Sequence, residues 1–233
     1  MVAILASVFA QTASPEIGAY LQNGFHDATF TVKIVRKDQR ALESINKDFG
    51  RSFQFDTTQV RMKEPYKLRI DVNEEDTAMS YVIDGPIQRF KVPKLRLNTR
   101  RDLSKLPASR QTTMDFGFLT PALFGDLLDA KFVQADPSKG AAVFDLTYKP
   151  VYENTSRQRV WLDPTTRTML RREWYNREGR LLATFEYADP RSDEGASVPT
   201  RMIVRDAAGE VAGETRLNEI RINRGVEDSV FSG

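Results

Sequence analysis

The sequence contains no cysteine and a single histidine, His26. Without cysteine there can be no disulfide, no thiolate zinc site, no cysteine nucleophile and no lipid-modified N-terminal cysteine; one histidine excludes sites that need several. The 34 Lys and Arg residues nearly balance the 32 Asp and Glu residues, so the chain lacks the basic excess of a dedicated nucleic-acid binder. No segment approaches the roughly 18 to 20 apolar residues that span a bilayer. We therefore expect no metal, no other cofactor and no nucleic-acid partner.

The first ten residues, MVAILASVFA, are small and apolar. Val8, Phe9 and Ala10 followed by Gln11 fit the small-residue pattern of a signal-peptidase cut. We interpret residues 1–10 as the remnant of an export signal and residues 11–233 as one exported domain of the periplasm. A plain hydrophobic tail is the alternative, because no Lys or Arg precedes the segment.

Most of the chain alternates apolar and polar residues, which is typical of antiparallel strands with one covered face. Residues 66–72, YKLRIDV, show the pattern most clearly, and FQF at 53–55 has the same alternation. Turn signals such as Asp84-Gly85-Pro86 separate the runs, which continue to residue 222. The pattern predicts about ten or eleven strands.

Helical spacing is confined to two places. A short helix is expected to begin at Ser14-Pro15-Glu16, with Ser14 as its N-cap. Between residues 100 and 132, apolar residues recur every three or four positions and predict one internal helix. No linker divides the chain. The expected fold is mainly β (α+β): a single, strongly curved antiparallel sheet, an open half-barrel, with helices covering its concave side.

Several stretches together resemble the periplasmic outer-membrane lipoprotein carrier and sorting family, the LolA-like proteins. They are FHDATFT at 25–31, VRMKEPYKLR at 60–69 with the DG turn at 84–85, VWLD at 160–163, WYNREGRL at 174–181, VPTR at 198–201 and RINRGVEDSVF at 221–231. The order of these strand and turn signatures carries the resemblance. Some family members place an arginine before the proline to hold the lid shut. This chain has Glu64 there, so that role is not transferred.

The resemblance implies a monomeric, non-catalytic carrier that takes acyl chains of lipoproteins or lipids from a membrane-protein donor to an outer-membrane acceptor. The expected cavity residues are Phe30, Val32, Phe53, Phe55, Val60, Met62, Tyr66, Leu68, Met79, Tyr81 and Ile83. The expected lid residues are Phe116, Leu119, Leu123, Phe124 and Leu127. The sequence does not separate residues that line a void from residues that fill an ordinary core.

Charged and polar candidates have competing interpretations. The basic residues Arg100, Arg101 and Lys105 form either a solvated loop or a contact with anionic headgroups or an acidic partner. The acidic residues Asp71, Glu74, Glu75 and Asp76 suggest a solvated turn rather than a cation site or a glycosidase pair.

Two further alternatives concern function. Ser104, Ser109 and Ser229 lack the context of a nucleophilic serine, and His26 is expected to lie on the surface at a junction of elements. The other functional hypothesis is a sensor or envelope-assembly module of the same fold that binds a protein partner.

Overall fold

A computed structural model describes residues 15–74 and 77–232. The predicted export signal, the Ser14 cap and the acidic residues Glu75 and Asp76 lie outside the described residues. At the predicted N-terminal helix, the described chain forms one 3-10 turn, Ile17–Tyr20, with Glu16 at its N-cap position.

In the described residues, thirteen antiparallel strands form a single open sheet. In chain order they are β1 Asp27–Lys37, β2 Thr57–Lys63, β3 Lys67–Glu74, β4 Thr77–Asp84, β5 Ile87–Val92, β6 Leu97–Asp102, β7 Leu128–Asp136, β8 Ala141–Tyr148, β9 Arg157–Leu162, β10 Met169–Tyr175, β11 Leu181–Asp193, β12 Ala196–Asp206 and β13 Val211–Ile222. The spatial order is β6-β5-β4-β3-β2-β1-β13-β12-β11-β10-β9-β8-β7. Because β6 and β7 end the sheet without pairing to each other, the half-barrel is open. This confirms the predicted fold class.

The period-two pattern works as predicted within the strands. In β3, Leu68 pairs with Met62 and Ile83, and all three side chains are buried on one face. The alternate position Asp71 faces the other way and forms ion pairs with Arg61, at 2.6 Å, and with Arg69, at 2.8 Å. We call these the inner face and the outer face. The sheet therefore keeps its apolar residues inside and its ion pairs outside.

Two short helices, α1 Gln39–Ile45 and α2 Lys47–Arg51, cover part of the inner face. The Asp38 carboxylate caps α1 and the Asn46 side-chain oxygen caps α2, each by accepting backbone N–H bonds. The predicted strand at residues 53–55 is therefore wrong: these residues form the turn after α2, and β2 begins at Thr57. Phe53 is nevertheless buried on the inner face.

Residues 113–127, called here the lid segment, cover another part of the inner face. The prediction of one regular helix at this place is wrong. The segment contains a 3-10 turn, Thr113–Phe116, and a single π-helical turn, Leu123–Leu127. Between the turns it binds the sheet, since Gly117 O accepts the Met169 N–H at 2.7 Å and Phe118 bridges Thr168. The strands β6 and β7, which precede and follow the lid segment, were not predicted, and they raise the number of strands above the expected ten or eleven.

The C-terminal 3-10 turn, Asp228–Phe231, packs on the outer face. Phe231 and Val226 form a small apolar cluster there with Val82 of β4. Asp228 binds Lys67 at 3.0 Å and Lys63 at 3.1 Å, which attaches the turn to β2 and β3. This turn is therefore held on the outer face of the sheet.

Candidate functional site

Two apolar clusters fill the inner face. The first lies mainly on β1–β4 and β13 and includes the predicted cavity residues Phe30, Val60, Met62, Leu68 and Ile83, which are all buried. Its half-buried margin includes the predicted residues Val32 and Tyr81. Seven of the predicted side chains thus meet in one cluster.

The second cluster lies mainly on β7–β12 and beneath α1 and α2. Phe53 belongs to it and Tyr66 packs against it. Its floor includes Phe144, Val160 and Phe185, which the sequence-based set omitted. The remaining two predicted cavity residues, Phe55 and Met79, are half-buried.

The lid segment joins the two clusters. Leu119, Leu123 and Leu127 are buried in the second cluster, and the half-buried Phe124 packs against it. Phe116 reaches the first cluster, where its ring lies 5.2 Å from that of Phe30. All five predicted lid residues therefore contact the apolar interior, although the segment is not a regular helix.

Buried apolar side chains fill both clusters of the inner face. A small cavity of about 10 Å³ lies where Met62 and Leu68 of the wall meet Leu123 of the lid segment. That volume is at the lower limit for one water molecule. An acyl chain could enter this interior only if the lid segment or the helices moved.

A few polar contacts hold the lid segment on the sheet. Thr120 donates to Glu64 Oε1 at 2.9 Å, and the Tyr66 hydroxyl donates to the Ala122 carbonyl. Burial raises the pKa of Glu64, an effect that the bond from Thr120 opposes. Burial likewise raises the pKa of Tyr66, which keeps this hydroxyl protonated. Glu64 therefore contacts the lid segment.

A buried arginine lies on the inner face, against Phe185 of the second cluster. Arg172 of β10 is 4% exposed and binds Asp115 of the lid segment at 3.1 Å. Its guanidinium carbon lies 4.0 Å from the centroid of the Phe185 ring. Burial raises the pKa of the neighbouring Tyr187 to about 12, so its hydroxyl is protonated. Sequence reasoning missed this group. Arg172 lies two residues before Trp174 in MLRREWY and therefore on the same face of β10, and Trp174 packs against the cluster.

The basic candidates lie at one edge of the sheet, where every residue of β6 is exposed. Arg100 pairs with Arg89 on the outer face, whereas Arg101 pairs with Gln88 on the inner face. Lys105 is exposed just beyond the strand. Three leucines are also exposed around this edge: Leu95 by 72%, Leu97 by 39% and Leu106 by 40%. The edge therefore combines positive charge with protruding apolar side chains.

A wide groove of about 1090 Å³ lies on the outer face, around the point where β1 meets β2 and β13. Its lining includes four arginines and two acidic residues: Arg61, Arg191, Arg221, Arg224, Asp193 and Glu219. An acyl chain placed there would cover charges and gain little apolar contact. The inner face is the better candidate for an apolar ligand.

The sequence's one histidine is exposed, as predicted. Its backbone N–H donates to Asn223 Oδ1 at 2.8 Å, and its carbonyl accepts the Glu64 N–H at 2.9 Å. Residues 15–74 and 77–232 contain no group of three or more His, Asp or Glu residues that could hold a metal ion. Within the same ranges, no helix is long and apolar enough to cross a membrane.

Comparisons with known proteins identify the fold. A family model described only as "Uncharacterized protein" matches residues 124–233. No curated protein matches the chain in sequence.

Solved structures are similar over nearly the whole chain. A domain named for outer membrane lipoprotein sorting, from Vibrio parahaemolyticus, is 15% identical with a TM-score of 0.56, and the match covers 92% of each chain. A LolA superfamily protein from Nitrosomonas europaea is 17% identical with a TM-score of 0.57, over 91% of each chain. A DUF1329 family protein from Desulfovibrio piger is 15% identical with a TM-score of 0.57, over 90% of this chain and 91% of the other. The chain therefore has the fold of the LolA superfamily.

Proposed function

We propose that the protein is an exported, periplasmic carrier that binds the acyl chains of a lipoprotein or lipid against the inner face of its sheet. One observation carries the proposal: a large apolar inner face is covered by an irregular lid segment that a few polar contacts hold in place. The closed, packed interior is then the unloaded state. The similarity in fold to a structure named for lipoprotein sorting supports the proposal.

The energetics of such a carrier favour transfer over storage. Burying an acyl chain stabilises it by about 0.8 kcal/mol per CH₂ relative to water, or roughly 12 kcal/mol for a sixteen-carbon chain. The competing environment is a membrane, which is equally apolar. Loading must also displace the packed contacts of the lid segment. We therefore propose a membrane-protein donor for loading and an outer-membrane acceptor for release.

The ligand would lie against the predicted cavity residues of the first cluster and displace the lid residues from them. Tyr81 is the most useful wall residue to test, because it is half-buried at the margin of this cluster. Its neighbour Ser80 points to the outer face of β4, since adjacent strand residues alternate between faces. Tyr81→Glu and Ser80→Glu therefore introduce the same charge on opposite sides of the sheet.

The test is native mass spectrometry and lipid extraction on the full chain purified from cells without detergent. Copurified lipid or acylated peptide, lost in Tyr81→Glu and retained in Ser80→Glu, supports the proposal. A lipid-free protein that retains a specific protein partner contradicts it and favours a partner-binding module. Equal loss of lipid in two folded variants would contradict the inner face as the binding site.

We further propose that the β6 edge contacts anionic membrane surfaces during transfer. Arg100, Arg101 and Lys105 supply the charge, and the exposed Leu95 and Leu97 supply apolar side chains that can enter the headgroup region. Each basic residue near such a surface contributes about 1 kcal/mol. In sedimentation with anionic vesicles, reversing the three charges should abolish binding at low salt. Unchanged binding would remove this contact from the proposal.

A further inference from the structure

The buried Arg172 makes an incomplete set of polar contacts. One terminal nitrogen, Nη1, donates to Asp115 Oδ1, and the ring of Phe185 packs against the guanidinium. Its Nε is buried and has no hydrogen-bond partner among the described residues, and the buried Tyr187 hydroxyl has no partner there except the Arg172 guanidinium beside it. Two polar atoms with unused hydrogen-bonding capacity are thus buried in an otherwise apolar cluster.

Such an arrangement is costly for a contact that serves folding alone. A buried guanidinium is best stabilised by a carboxylate that accepts from two of its nitrogens, and an unsatisfied buried donor loses the free energy of its hydration. The carboxylate of Asp115 uses its second oxygen elsewhere, accepting the Thr112 N–H at 2.9 Å. Asp115 is also the partner closer to solvent, with 31% of its side chain exposed, against 5% for Arg172.

The position of Asp115 gives this ion pair a second consequence. Asp115 belongs to the lid segment, whereas Arg172 and Tyr187 belong to adjacent strands of the sheet. When the lid segment moves away, the carboxylate leaves and a positive charge stays behind on the apolar inner face. An uncompensated charge there is strongly unfavourable, so an open state needs a replacement anion.

We propose that Arg172 and Tyr187 form an anion-binding site for the headgroup of the cargo, and that Asp115 occupies this site in the closed protein. The cargo is then an amphiphile with a carboxylate or phosphate at the end of its acyl chain. Two of its oxygens accept from Nε and a terminal nitrogen of Arg172 and from the Tyr187 hydroxyl, while the chain runs from the second cluster to the cavity residues of the first. The inference rests on the proposed carrier function and specifies the chemical class of the cargo.

The test compares two fluorescent probes that share one acyl chain, cis-parinaric acid and its methyl ester. At mildly alkaline pH the acid is ionised and the ester is neutral. The full-length wild-type protein should bind the acid about tenfold or more tightly than the ester, because one hydrogen-bonded charge pair separates them. Competition by lysophosphatidic acid and by a fatty acid of the same chain length then distinguishes a phosphate headgroup from a carboxylate as the preferred anion, with a monoacylglycerol as the neutral control.

Three variants locate the effect. Arg172→Met should lose the preference for the acid and bind the ester at least as tightly as the wild type does. Asp115→Asn removes the competing charge but keeps an oxygen that can accept from Thr112. Because it also weakens the closed state, it should bind both probes more tightly and keep the preference for the acid. Arg171→Met is the matched control, because Arg171 lies next to Arg172 on the outer face, where it binds Glu173 at 2.7 Å.

The outcomes separate this inference from the proposed function. Equal wild-type affinity for the acid and the ester, with no preference for the acid in Asp115→Asn, overturns the anion-binding site and leaves the carrier intact. Failure of the wild type to bind either probe counts against the carrier and the site together. If Arg172→Met does not fold, as circular dichroism would show, Asp115→Asn alone decides.

Discussion

The packing of the lid segment against the sheet can be tested at Gly117. This glycine has φ +86°, and a Cβ added to it would lie 2.5 Å from Tyr187 Cδ1 and 2.6 Å from Pro199 Cγ. Gly209 has nearly the same backbone, φ +89°, but a Cβ there would meet no atom within 4 Å. The two glycines thus share the left-handed conformation and differ in whether another part of the chain is packed against them.

The expected magnitudes follow from that difference. Alanine in the left-handed region costs roughly 1–2 kcal/mol, which should be the whole effect of Gly209→Ala. Gly117→Ala adds overpacking against Tyr187 and Pro199, typically about 1–3 kcal/mol. We therefore expect Gly117→Ala to lower the free energy of unfolding by about 2–5 kcal/mol, and by clearly more than Gly209→Ala does.

Urea unfolding, followed by tryptophan fluorescence and by far-ultraviolet circular dichroism, measures both changes. The slope of the transition should be unchanged if both variants keep the same folded surface. Equal destabilisation of the two variants would refute the reasoning, because it would mean that the Gly117 turn does not rest against β11 and β12 in solution. A larger loss in Gly117→Ala, together with increased binding of an apolar dye, would show that this contact keeps the interior closed.

Three further predictions concern other contacts of the site. Because burial raises the pKa of Glu64 above 4.5, the folded state holds this proton more tightly than the unfolded chain does, and stability falls as the pH rises from 4.5 through the folded pKa. Glu64→Gln, which keeps an acceptor for Thr120, should therefore melt at a higher temperature than the wild type at neutral pH and lose that advantage below pH 4.5. A difference in melting temperature that does not change with pH would contradict this. Asn223, whose φ is +54°, makes four hydrogen bonds through its side chain. Asn223→Ala should therefore lower the free energy of unfolding in urea by about 2–4 kcal/mol, whereas His26→Ala should change it by no more than about 0.5 kcal/mol. Equal effects would argue against Asn223 as the structural residue at this junction. Phe53→Ala should cost about 3–5 kcal/mol, and a loss below 1 kcal/mol would mean that the turn after α2 is not packed on the sheet.

The strands of the sheet were largely predictable because burial on one face imposes alternation on the sequence. YKLRIDV is such a case: the apolar positions of β3 face the inner clusters and the charged ones form ion pairs outside. β6, whose sequence is LNTRRD, gave no such signal because all of its residues are exposed at a sheet edge. An edge strand without a buried face has no alternation to detect.

The segments that cover the inner face were harder to predict because tertiary contacts shape them. The helices α1 and α2 have seven and five residues, too few to show a helical period, and FQF after them imitates a strand. The lid segment has helical spacing of its leucines, but its bond to Met169 and its bridge to Thr168 break the helix. Nine of the eleven predicted cavity residues belong to the two apolar clusters or pack against them, while Arg172 was overlooked because a charge in an alternating strand is expected to face water.

The order of strands makes the lid segment the bridge between two halves of the molecule. β1–β6 and β7–β13 each fold back and forth between sequence neighbours, and within the described sheet the two meanders pair with each other at β1 and β13. The chain that leaves the edge strand β6 must cross the open mouth of the half-barrel to reach the opposite edge strand, β7. The lid segment is thus connected to an edge strand at each end, so it cannot open by rotating about a single hinge. Opening therefore requires either that the lid segment itself changes conformation or that the two meanders move apart about the β1–β13 pairing. A protease cut in the lid segment would uncover the opening of the half-barrel, while the β1–β13 pairing would still hold the two halves together.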